Sequence, residues 1–186
     1  MEGSLTSCIS GGIGDTVSTI NGFVDDPGFN NYAVGHRMFF LSPYLSKTSV
    51  GSMSREGGGK ATMSVNVIKH YDSAPALPTR DGTITWPPAG YFPYQLLPTS
   101  TRWHYWPLND KMVFSSATVS ITGPTGPILG IKITCKDVTQ FGTYIVFEVP
   151  KPPVPTEDTT YTVTIDNILG TPVQSVSYDV TLINIV

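Results

Sequence analysis

Residues 159–168 read TTYTVTIDNI. Tyr161, Val163 and Ile165 alternate there with Thr160, Thr162 and Thr164. Side chains on a strand point to opposite faces in turn, so the rings and aliphatics share one face and the hydroxyls share the other. Four further stretches have the same make-up: SATVSITG (116–123), ILGIKITCK (128–136), GTYIVFEVP (142–150) and VSYDVTLINI (176–185). Turn formers separate them, namely GPTGP, QFG, PKPPVPTED and LGTP. Short, evenly spaced strands broken by such turns predict an antiparallel β-sandwich. KPPVP lacks most of its ladder donors and belongs in a loop or at a sheet edge.

Upstream the pattern changes. DSAPALPTRDG (72–82) is rich in Pro, Gly and Asp and reads as a linker. It divides the chain into residues 1–82 and residues 83–186. In the first part, two β segments flank a glycine-rich turn, REGGGK. The second of them, ATMSVNVIKHY, alternates Met63, Val65 and Val67 with Thr62, Ser64 and Asn66. Before them, Ile13, Val17, Ile20 and Val24 recur at spacings of four, three and four. That spacing predicts a helix over 13–25 with those four residues as its buried face, stopped by DDPG. GHRMFFLS is a short helical turn or strand that Pro43 ends, and its MFFL belongs in a core.

Composition narrows the function classes. Only 13% of the 186 residues are charged, against 18 glycines and 16 prolines, which fits a β-rich chain better than a helical enzyme. The net charge of −3 with no basic run gives no nucleic-acid footprint. No apolar stretch reaches the ~18 residues of a membrane helix. MEGSLTSCISGG has neither the basic start nor the apolar middle of a secretory signal. The two cysteines, Cys8 and Cys135, form no CxxC and no zinc-type cluster; they either pair or stay as buried thiols. The chain is therefore expected to be cytosolic, or a piece of a longer secreted protein.

A resemblance adds to this reading. GFNNYAVGHRMFFLSPYLSKTSVGSM is similar to the region around the second histidine of bacterial CAP (SCP-like) domains: Gly35, His36 and Arg37, an apolar run, SP, then a strand ending in glycine. ITWPPAGYFPYQLLP followed by RWHYWP resembles the segment that comes next in secreted bacterial forms. The strand-rich tail resembles the small Ig-like sandwich appended to some of them. The resemblance implies a β-rich α+β fold: the C-terminal portion of a CAP-type α/β/α layered domain over 1–82, then an aromatic linker segment and an antiparallel Ig-like β-sandwich over 83–186. It also implies an extracellular or cell-surface protein. The family's cleft holds two histidines and two glutamates that can bind a divalent metal. Only His36 carries over. Glu2 and Glu56 lie in non-matching surroundings, and RMFF departs from the family's usual Arg-Arg-Trp or Arg-Ala-Asn. The resemblance thus implies no cofactor for this chain alone, and a metal at His36 only with a missing upstream half.

The candidate residues follow from both lines. His36 offers a neutral imidazole as ligand or proton acceptor at a cleft. The structural alternative has His36 bonded to loop backbone and Arg37 paired with Asp25 or Asp26. Trp86, Tyr91, Trp103 and Trp106 lie in a run of rings, WPPAGYFPYQ…RWHYW, that could form a platform for a sugar or an apolar ligand. The plainer reading makes them a domain seam, since aromatics combine large apolar area with a polar tip. His104 and His70 read as structural. No GxSxG and no phosphate loop is present. The functional expectation is a non-enzymatic CAP-like protein that binds a small apolar ligand, a glycan or a protein. The alternatives are a carbohydrate-binding or adhesion module using residues 86–106, and a CAP-type hydrolase with an incomplete His/Glu site.

Overall fold

The computed structural model describes residues 7–11, 16–43, 45–53, 62–69, 82–108, 111–136 and 142–185. The chain divides into two compact units, Met1–Pro27 with Val34–Arg80, and Gly28–Ala33 with Asp81–Val186. Strand dominates both.

The first unit holds a three-stranded antiparallel sheet in the order β1-β3-β2, made of β1 (Ser7–Gly11), β2 (Leu45–Met53) and β3 (Thr62–Lys69). Its two helices are short: α1 spans Thr16–Asp25 and α2 spans Gly35–Leu41. The REGGGK turn, His70, Glu2, Glu56 and Ile13 lie outside the described residues.

Two expectations need correction here. The buried residues of α1 are Thr19 and Phe23, and Asp26 just past its end continues their stripe at i, i+4 and i+7. Val17, assigned to the buried face, is 67% exposed. The choice between faces is settled by Phe23, whose ring packs with Cys8 of β1 while Ile20, Phe39 and Phe40 close around it. A ring buries more apolar area than a valine, so α1 turns to seat the ring. The second correction concerns the fold class. An α/β/α layering of CAP type needs helices on both faces of a sheet, and no such layering is present among the described residues. α1 and α2, ten and seven residues long, are the α-helices described, and they pack on each other.

The second unit is a β-sandwich. One sheet has the order β4-β6-β10-β9, from β4 (Thr83–Trp86), β6 (Arg102–Pro107), β10 (Ile145–Glu148) and β9 (Lys132–Lys136). The other has the order β5-β12-β11-β7-β8, from β5 (Gly90–Pro93), β12 (Ser175–Ile183), β11 (Thr159–Asp166), β7 (Thr118–Gly123) and β8 (Gly126–Pro127). This second sheet is not wholly antiparallel, because β5 runs parallel to β12 with Tyr91 opposite Thr181. Between β4 and β5 the chain changes sheets across Pro87 and Pro88, which have no N–H to extend a ladder. Trp103, Tyr105, Ile145 and Phe147 of one sheet meet Ile121, Tyr161, Val163, Ile165, Val180 and Leu182 of the other in a single apolar core.

β11 has the alternation that its sequence prescribes, with Tyr161, Val163 and Ile165 buried. β6 has none: all six residues of RWHYWP are buried. The aromatic stretch 83–107, expected as a linker, supplies β4, β5 and β6 of the sandwich. At the turn after β11, Gly170 takes φ +78°, and an added Cβ would stand 2.1 Å from the Lys111 carbonyl oxygen. Only glycine fits beside the Val113–Leu169 bridge.

Candidate functional site

Three side chains in the first unit gather where α1 ends and α2 begins. A helix leaves its last carbonyls and its first N–H groups without intrahelical partners. Here the side chains supply them. Arg37, fully buried, donates from Nε to the Val24 carbonyl and from Nη2 to the Asp25 carbonyl at 2.9 Å. The main-chain N–H of His36 donates to Asp26 Oδ2 at 2.9 Å. The His36 Nδ1 lies 2.8 Å from Asp26 Oδ1. An ionised carboxylate can only accept, so Nδ1 carries the proton and Nε2 is left as the acceptor of the neutral ring. Phe23 stacks on the imidazole with centroids 5.1 Å apart, and Phe40 stacks on Phe23 at 5.8 Å.

The sequence placed His36 and Arg37 at one edge and offered Asp25 or Asp26 as the carboxylate for Arg37. The imidazole takes the carboxylate, and the guanidinium takes main-chain oxygens. The reason lies in donor geometry: the guanidinium fork spans two consecutive carbonyls, while one carboxylate reaches both a ring nitrogen and the N–H of the same residue. Asp26 and Val34, which bracket the intervening loop, both have left-handed backbones, with φ of 50° and 47°. For a β-branched residue such as Val34 that conformation costs about 1–2 kcal/mol, and its complete burial helps to offset it.

Electrostatics follow the same contacts. The hydrogen bond to Asp26 raises the His36 pKa above its ordinary 6.5; partial burial opposes the rise and the carboxylate charge adds to it. Cys8, buried beside Phe23, has its thiol pushed up to about 11, first by burial and then by the negative charge of Asp26. A cysteine, a histidine and an aspartate thus come close in space, but the thiol is protonated at neutral pH and is a poor nucleophile. Cys8 and Cys135 form no disulfide, and both are buried. Among the described residues, no group of three or more His, Cys, Asp or Glu side chains is arranged to hold a metal ion.

The aromatic candidates go elsewhere. Trp103 lies in the sandwich core and Trp106 is buried against Tyr144, so neither offers a ring face. Trp86 is half-buried, edge-on to Phe92, and its Nε1 is sealed from solvent with no hydrogen-bond partner. Tyr91 is the exposed member, at 71%. It borders a hydroxyl-covered outer face where Thr160 meets Thr181 at 2.9 Å and Thr162 donates to Asp179 at 2.7 Å.

Sequence reasoning passed over one feature. Gly28–Ala33 (GFNNYA) belongs to the second unit, where side chains in and next to the four-stranded sheet hold its main chain. Arg102 donates to the Gly28 carbonyl at 2.9 Å, Thr134 to that of Tyr32 at 3.0 Å, and Tyr144 to that of Ala33 at 2.9 Å. The visible signal was a phenylalanine and a tyrosine three residues apart in a run without charge.

Compared with protein-family models, curated proteins and solved structures, the chain matches none. Nothing there identifies a CAP domain.

Proposed function

We propose that the chain is a non-enzymatic binding protein whose β-sandwich unit displays the contact surface. The observation that carries this reading is where the reactive-looking side chains are committed. Asp26, the main chain and Nδ1 of His36, and the guanidinium of Arg37 all join the end of α1 to the start of α2. A reaction centre needs a group poised to attack or to move a proton. The Cys8 thiol, raised to about 11, is not poised to attack; Nε2 of His36, the acceptor that the clasp leaves over, is the group that His36→Ala probes in the test below.

The sandwich supports the positive half of the reading. Its strand order is first-second-fifth-fourth in one sheet and third-sixth-seventh in the other, counting β4 and β5 as one strand split between sheets and the two-residue β8 as an extension of β7. Immunoglobulin-type sandwiches use that order, and they commonly carry binding surfaces on loops and outer faces. The extracellular or surface location belongs to the same proposal, as does the likeness of Gly35–Pro43 to CAP proteins. Among the described residues no helix is long and apolar enough to cross a membrane.

A substrate panel tests the proposal. The chain, His36→Ala and Cys8→Ser are incubated with ester, peptide and oligosaccharide substrates. No turnover above buffer is expected from any of them. Turnover by the parent chain that His36→Ala or Cys8→Ser abolishes would overturn the reading.

A further inference from the structure

The loop Gly28–Ala33 combines a fixed main chain with bare rings. Phe29 is 91% exposed and Tyr32 is 53% exposed. Water contact over so much apolar area is unfavourable at each ring and brings no compensating packing in this chain. The main chain beneath is held by three side-chain donors, two of which, Arg102 and Tyr144, are buried. Arg102 is itself paired with Glu148 at 3.3 Å. This scaffold fixes the loop in advance, so little ordering entropy is left to lose when something docks on it.

The local geometry sets the rings side by side. Phe29–Asn31 is a single 3-10 turn, and Tyr32 follows it with helical dihedrals. Residues i and i+3 eclipse on such a turn, with a rise of about 2 Å per residue. Phe29 and Tyr32 therefore leave the same side of the loop, with origins roughly 6 Å apart along the turn.

We propose that Phe29 and Tyr32 form a two-ring grip for a neutral polysaccharide; the proposal rests on the binding-protein reading above. Residues 27–35, PGFNNYAVG, contain no charged side chain. A neutral ligand matches that, whereas an anionic membrane surface calls for lysines or arginines. Gly28 and Asn30, the exposed neighbours of the rings, are small or polar, unlike the apolar cluster at the centre of a protein interface. Sugar rings have C–H faces that pack on aromatic faces and hydroxyls that pair with amides such as that of Asn30.

Co-sedimentation of the whole chain with cellulose, chitin and mannan tests the grip, and the supernatants are assayed for released reducing ends. Retention on at least one polymer is expected, weakened about tenfold by Phe29→Ala and by Tyr32→Ala and kept by Phe29→Trp. Both replaced side chains are largely exposed, so melting temperatures should not move. Three results would overturn the grip: no retention on any polymer, retention unchanged in both alanine variants, or Phe29-dependent sedimentation with phosphatidylcholine vesicles in place of the polymers. Reducing ends released by the parent chain would overturn the non-enzymatic reading alone, and retention lost in both variants would still support the grip.

Discussion

β6 and β11 are both strands of the same sandwich, yet they obey different rules. β11 shows the core one face and water the other, and its burial alternates residue by residue. β6 is enclosed on both faces, with Trp103 and Tyr105 in the inter-sheet core and Arg102, His104 and Trp106 buried on the opposite side. One-sided burial writes a period of two into a sequence; two-sided burial erases it. Arg102 can stay inside because it has partners in Glu148 and the Gly28 carbonyl.

The contrast is strongest in energy. Trp106→Ala, on the outward side of β6, should cost as much as Trp103→Ala on the inward side, about 3–5 kcal/mol each. Thr162→Ala, on the outward side of β11, should stay within ~0.5 kcal/mol. Urea unfolding of the three variants checks this, and a cheap Trp106→Ala would make β6 one-sided like β11.

A smaller effect is expected in the first unit. Asp26→Ala removes the acceptor of two His36 donors, and each lost bond is worth about 0.5–1.5 kcal/mol. The pH dependence has a definite sign. The folded-state pKa of His36 lies above 6.5, so its contribution is fully present below the unfolded value and fades as pH rises through the folded one. Melting temperature should therefore fall somewhat between pH 6 and 8 (a range around the ordinary value of about 6.5), and Asp26→Asn should flatten that fall. The imidazole is more than a third exposed, so solvent screening keeps the effect modest.

The smallest change should run the other way. Tyr178, stacked on Tyr105, has a buried hydroxyl without a hydrogen-bond partner, and burial followed by the nearby Tyr105 raises its pKa. An unpaired buried polar group costs about 1–3 kcal/mol. Tyr178→Phe should leave stability unchanged or raise it slightly; a clear loss would mean that the hydroxyl has a partner after all.

The same contrast explains what could be read from the chain. β7, β9, β10 and β11 fall within stretches picked out by strand composition, and β12 does so from its second residue on, because turns of Gly and Pro bound them. β11 adds a one-sided period. RWHYWP carries no period, and its rings suited a seam or a platform as well as a strand. α1 was legible as a helix, but its buried face was not: Val17 and Val24 fit the spacing as well as Thr19 and Phe23, and only packing against Cys8 decides between them. At His36 and Arg37 the sequence named the pair and a nearby carboxylate. Which donor took which acceptor depended on helix ends that spacing does not locate. The α/β/α layering rested on resemblance, and the two short helices of the first unit do not supply it.

The claim on which most depends is that Asp26 and His36 clasp the two helices together. A double-mutant cycle on unfolding free energy, with Asp26→Asn, His36→Gln and the pair, measures it directly. A coupling of about 0.5–1.5 kcal/mol is predicted. Additive single effects, with no coupling between the two positions, would contradict it.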